Sequence, residues 1–232
     1  MGLWHVFYED WQMECCGTPF SVGDEVSWPM MIVDADAVLG GGWHDQLTKV
    51  VGVVEDWDGV RIVRDKTGLM VALGGRDEDD DEGEADGPRL GDPIRRVGLL
   101  SVETHGAEWP EVAGRVRAVQ VLTQGYAEGT SAAWEPVPGE RWLRAVDECP
   151  KWFADKAAGK GGDGRPRRRR DAGVVVALEV PGTDSWLSYA VREASGIPHE
   201  GAAPGAETEG LPEDALAALL ETLSTVRGPG DG

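Results

Sequence analysis

The sequence predicts a mainly β protein: two small barrel units of SH3-like or OB-like type, related by an internal duplication, followed by a C-terminal amphipathic helix. Three observations lead there. Val50–Val54, Val60–Val63 and Leu69–Leu73 are β-rich runs joined by "EDWDG" and "RDKTG", each ending in the glycine that a tight hairpin favours. A second set of β-rich runs follows a dense acidic segment. A leucine stripe at helical spacing then closes the chain.

In chain order, "YEDWQMECCGTPFSVGDEVSW" (8–28) holds two of the three cysteines, a Gly17–Pro19 turn and a strand marked by Val22, Val26 and Trp28. "SWPMMIV" is a further apolar strand, and "DADAVLGGGWHDQ" reads as a long loop before the meander. Strand, long loop and meander is the order of an SH3-like barrel. The duplication rests on "HDQLTKVVGVVEDW" from His44 and "HGAEWPEVAGRVRAV" from His105, each placing a histidine shortly before a glycine that opens a valine-rich strand. The apolar strand "VGLLSV" precedes the second of these. Later strands are expected at Val116–Leu122, around Trp134–Trp142 and at Gly173–Val180.

These elements divide the chain into a first barrel unit at 1–75, an acidic linker at 76–92 and a second β-rich unit at 93–195 with a basic Gly/Arg loop at 159–170. A flexible linker at 196–211 and a helix at 212–227 follow. In that helix Leu216, Leu219, Leu220, Leu223 and Val226 form one apolar stripe, opened by Pro212 and stopped by Gly228 and Pro229. An isolated helix of this length is marginal in water, so it docks on its own barrel or in a partner's groove.

The 232 residues carry 22 Lys plus Arg against 42 Asp plus Glu, a net charge of −20, which opposes attraction to nucleic acid or anionic lipid. Arg76–Asp86 alone contains eight acids and one base. No window approaches the roughly 20 apolar residues of a membrane helix, and three cysteines form no even disulfide framework. A soluble, cytoplasmic protein with reduced thiols is expected.

The candidate chemistry is sparse. Cys15, Cys16 and Cys149 with His5, His44 or His105 offer the donor types of a zinc site, although no C-x-x-C pair supports it. The favoured expectation is no cofactor, with the thiols packed as small residues at a turn. Arg165 and Arg167–Arg170 form the one basic block, read as a solvated loop facing the acidic run, with phosphate contact as the alternative. Trp43 and Trp57 lie where an SH3-like barrel presents aromatic contacts. The strings "GLWHVFYEDWQMECCGTPFSVGDEVSW", "GRVRAVQVLTQGY", "WEPVPG" and "CPKWF" together resemble a family of actinobacterial proteins of unknown function over about residues 2–190, a resemblance that implies no activity. The abundance of Arg over Lys, with Ala, Gly and Asp, fits a high-G+C bacterium.

The functional expectation is a non-catalytic interaction or assembly module with an unknown protein partner or self-association. A zinc- or thiol-dependent enzyme using Cys15, Cys16 and Cys149 with a histidine is the first alternative. A nucleic-acid module using Arg165–Arg170 is the second.

Overall fold

In the computed structural model, which describes residues 2–40, 48–65, 68–74, 88–129, 133–183 and 185, the valine-rich runs form the expected meander. Its strands are β4 (Thr48–Trp57), β5 (Val60–Asp65) and β6 (Met70–Leu73), antiparallel in order. Val50 and Val54 point inward and Val51 and Val53 outward, the period-two pattern of a half-buried strand. Asp58 and Gly59 turn the β4–β5 hairpin with positive φ angles of 47° and 89°, the backbone an Asp-Gly pair supplies.

Closure of the barrel comes from two flanking strands. β3 (Met30–Val33) runs parallel to β6 and antiparallel to β7 (Pro93–Val102), and β7 pairs antiparallel with β4. Five strands thus form a closed ring, β4-β5-β6-β3-β7. Strand crowding requires glycine at two points: a Cβ on Gly98 would lie 2.5 Å from the Val33 carbonyl oxygen, and one on Gly52 would fall on the Arg64 carbonyl oxygen.

The remaining strands extend from this barrel as one curved sheet. β1 (Gly2–Glu9) pairs along its whole length with β11 (Pro166–Val180), and at Val6 and Phe7 it runs parallel to β7, joining sheet to barrel. β8 (Val112–Glu128) lies on the other side of β11. Each of these long strands is shared: β8 takes β2 (Glu25–Trp28) near its start and β9 (Trp134–Val146) further on, while β11 takes β10 (Asp155–Lys160) and then β1. Gly173 permits the exchange on β11, because its Cβ would fall on the Tyr8 carbonyl.

One core fills the barrel and continues under the sheet, from Val50, Val63, Val71 and Leu100 to Trp4, Val6, Tyr8, Val119, Val174 and Val176. Phe7, Leu122 and Val175 on the opposite face are covered by α2 (Ala35–Leu39) through Ala35 and Leu39. Several expectations change here. The barrel's fifth strand, β7, lies beyond the acidic segment, and β1 and β2 belong to the sheet; among the described residues no second closed barrel forms, so the duplication is not supported. The supposed loop after Val33 contains α2, because Ala35 and Leu39 have an apolar face to bury. Only 161–165 of the supposed Gly/Arg loop is a turn, which carries Arg165, while Arg167–Arg170 lie within β11. The C-terminal helix at 212–227 and its linker lie outside the described residues.

Replacing Gly98 by Ala should destabilise the protein by about 1–3 kcal/mol, because the added methyl group forces β3 and β7 apart in a packed wall. Thermal unfolding would register this as a fall in Tm of several degrees, with the strand content of the folded state unchanged.

Candidate functional site

Directly after β1 the chain turns into the short helix α1 (Asp10–Cys15), which carries Cys15 and is followed by Cys16. α1 is held by polar side chains on three sides. Gln12, almost fully buried, donates through Nε2 to the Val102 carbonyl (2.9 Å) and accepts at Oε1 from the Thr104 backbone N–H (2.7 Å) and hydroxyl (3.1 Å). Lys151 Nζ donates to the carbonyls of Met13 (2.6 Å) and Gly17 (3.0 Å) at the helix C-terminus, where a cation is favoured. Glu14 accepts from the Phe153 backbone N–H (3.0 Å). Beneath them Tyr8 bonds to Thr104, and burial raises its phenol above the ordinary range.

These ties bring three segments, α1, Glu103–His105 and Lys151–Phe153, to one exposed corner. The Cys15 and Cys16 thiols and a ring nitrogen of His105 lie within 4.8 Å of one another. Cys16 Sγ donates to Cys15 Sγ at 2.8 Å and stands 3.9 Å from His105 Nδ1. The hydrogen bond to Cys15 holds the Cys16 thiol above its usual range, while the Lys151 charge draws it down. Glu103 Oε1 accepts the His105 backbone N–H (2.7 Å), and the Trp11 indole meets the imidazole edge to face at 5.9 Å. Trp11 is itself anchored by Nε1 donating to Glu9 Oε2 (2.5 Å), and burial raises the Glu9 carboxyl above the ordinary carboxylate range.

Of the donors expected from sequence, the structure therefore unites Cys15, Cys16 and His105. The thiols of Cys15 and Cys16 do not fill space at a turn, since both are exposed. Cys149 stands apart: it is buried in the core, and burial pushes its thiol up to about 12, so it stays protonated as a compact apolar group. His5 is buried within β1, and His44 lies outside the described residues. Trp57 ends β4, half-exposed, with its indole donating to the Glu108 carbonyl. Trp43, Leu216, Leu219, Leu220 and Leu223 also lie outside the described residues. Nothing in the spacing of Cys16 and His105 announced their meeting, which depends on Gln12.

The arginine block is largely neutralised within the fold. Arg165 pairs with Glu135, Arg167 with Asp163, Arg168 with Asp155 and Arg170 with the buried Asp10. The Arg168 guanidinium correspondingly holds the Asp155 carboxyl below its usual range. Arg169 instead stacks over Trp142, 4.1 Å from the ring centroid, beside a cleft of about 230 Å³ that Lys156 and Asp171 also line. The four paired arginines thus meet carboxylates from β9, the β10–β11 turn, β10 and α1.

A closed five-stranded barrel continuous with a long, shared-strand sheet, bearing an exposed thiol and imidazole corner, defines the class: a mainly β protein with a surface donor site. The chain belongs to a family of unknown function (DUF6578), whose model matches residues 2–180 and so spans both barrel and sheet. No curated protein and no solved structure matches it. Among the described residues no helix is long and apolar enough to cross a membrane.

Gln12→Ala should release Glu103–His105 from α1. Loss of three hydrogen bonds in a buried setting is worth about 2–3 kcal/mol, and amide exchange at Thr104 should accelerate far more than exchange in the barrel strands. Equal acceleration throughout would show that Gln12 supports the whole fold and not the corner.

Proposed function

We propose that the protein is a non-catalytic binding module whose working surface is the corner formed by α1, Glu103–His105 and Lys151–Phe153. The observation that carries this reading is the exposure of two indoles on firmly tied backbone: Trp152 is 71% exposed and Trp11 44% exposed. A tryptophan left in water forgoes roughly 2–3 kcal/mol of burial. Large aromatic anchors on a rigid support are the residues protein interfaces use as hot spots. Both indoles belong to segments that meet at Cys16, and Lys151, Glu14 and Gln12 fix those segments before any partner arrives, which lowers the ordering cost of binding.

The pairing scheme of the barrel supports an OB-like over an SH3-like reading. The meander β4-β5-β6, the parallel β6–β3 pair and the return through β7 to β4 follow an OB-type ring in which the last strand has moved to the front of the chain. Such barrels present binding surfaces on a closed frame. Exposed unpaired thiols support a reducing cytoplasm, and the arginine-rich, high-G+C composition supports an actinobacterial source.

A photo-crosslinking amino acid placed at position 152 in the full chain, in producing cells, tests the reading. A discrete adduct heavier than the chain is expected from position 152 and not from position 134, on β9. An adduct at twice the chain mass would identify the partner as a second copy. Absence of a discrete adduct at 152, or equal adducts from both positions, would overturn the proposal.

A further inference from the structure

Beyond a protein partner, we infer that Cys15, Cys16 and His105 form a binding site for a thiophilic d10 cation of the zinc class, held by two thiolates and one imidazole with a fourth position open to solvent. Thiolate and imidazole are the donor set that such ions prefer. Three donors already lie within 4.8 Å of one another. With metal–sulfur bonds of about 2.3 Å and a metal–nitrogen bond of about 2.0 Å, tetrahedral coordination places donor atoms roughly 3.5–3.8 Å apart. The 3.9 Å between Cys16 Sγ and His105 Nδ1 is close to that spacing. The 2.8 Å between the two sulfurs must widen by about 1 Å, which rotation of two exposed side chains supplies.

The charges that binding creates balance within the site. Two thiolates and one dication leave the first shell neutral. Lys151 Nζ, bonded to the Met13 and Gly17 carbonyls, pins the chain on either side of the two cysteines. His105 arrives on a segment held twice, by Gln12 through Thr104 and by Glu103 through its own backbone N–H. These bonds fix the backbone that carries His105 and so set where its ring can reach. Among the described residues the three side chains form the one such cluster, all of them exposed. This leaves the fourth position to water or to an incoming donor, as in open zinc sites and unlike closed structural ones. Each bound ion displaces a proton from each thiol, so apparent affinity must rise with pH.

The test is a titration of the reduced full chain with Co²⁺ as spectroscopic probe and then with Zn²⁺ in competition, each at pH 6, 7 and 8. Expected are one ion per chain, a sulfur-to-cobalt charge-transfer band with tetrahedral d–d intensity, and displacement by equimolar zinc. Apparent affinity should rise by more than tenfold per pH unit while both thiols remain protonated in the free protein. Cys16→Ser and His105→Ala should each weaken binding at least tenfold. Cys15→Ser/Cys16→Ser should abolish the charge-transfer band while circular dichroism stays unchanged, because both side chains are exposed; Cys149→Ala should leave the stoichiometry at one. Binding without a thiolate band, stoichiometry unaffected by the double serine substitution, or no saturable binding at micromolar protein would overturn the assignment.

Discussion

The parallel contact of β1 with β7 at Val6 and Phe7 is the constraint on which the architecture rests. It makes one hydrogen-bonded system out of a closed barrel and an open sheet. Through it the core runs without a break from Val50 and Leu100 to Val174 and Val176. Because β1 is buried on both faces, its two sets of side chains do different work: Trp4, Val6 and Tyr8 complete the barrel-side core, while Phe7 meets α2. α1 starts where β1 ends, so the position of the two thiols is set by the same strand that joins the two halves.

Legibility in the sequence followed local periodicity. The β4-β5-β6 meander could be read because valines alternate in register with glycine-ended hairpin loops, and β11 because Val174–Leu178 is a continuous apolar run. β1 escaped notice because Leu3, Trp4, His5, Val6, Phe7 and Tyr8 are buried without alternation, leaving no polar face to betray a strand. β10 escaped because Asp155–Lys160 is short, polar and glycine-containing. The arginines looked like a loop since nothing in "RPRRRR" hints at the scattered carboxylates that pair with four of them or at the indole under Arg169.

The donor site shows the limit more sharply. Composition offered three cysteines and four histidines, and sequence spacing favoured none of their combinations. What selects Cys15, Cys16 and His105 is a buried glutamine whose amide bridges α1 to the segment after β7, a contact made by residues 90 and 92 positions apart. Cys149 was excluded by the same kind of long-range fact, its enclosure in the core. Chemistry of this sort is written in tertiary contacts, and residue types alone could supply only the shortlist.

The edge-to-edge union of β1 with β11 also dictates when the protein can be assembled. At synthesis rates of roughly 5–20 residues per second, strand β11 leaves the ribosome about ten to thirty seconds after β1. During that interval a strand with apolar side chains on both faces has no permanent neighbour along that edge, a state that invites mispairing with other nascent chains. The strand that joins barrel to sheet thus gains its full-length partner only after nearly all of the described chain has been made.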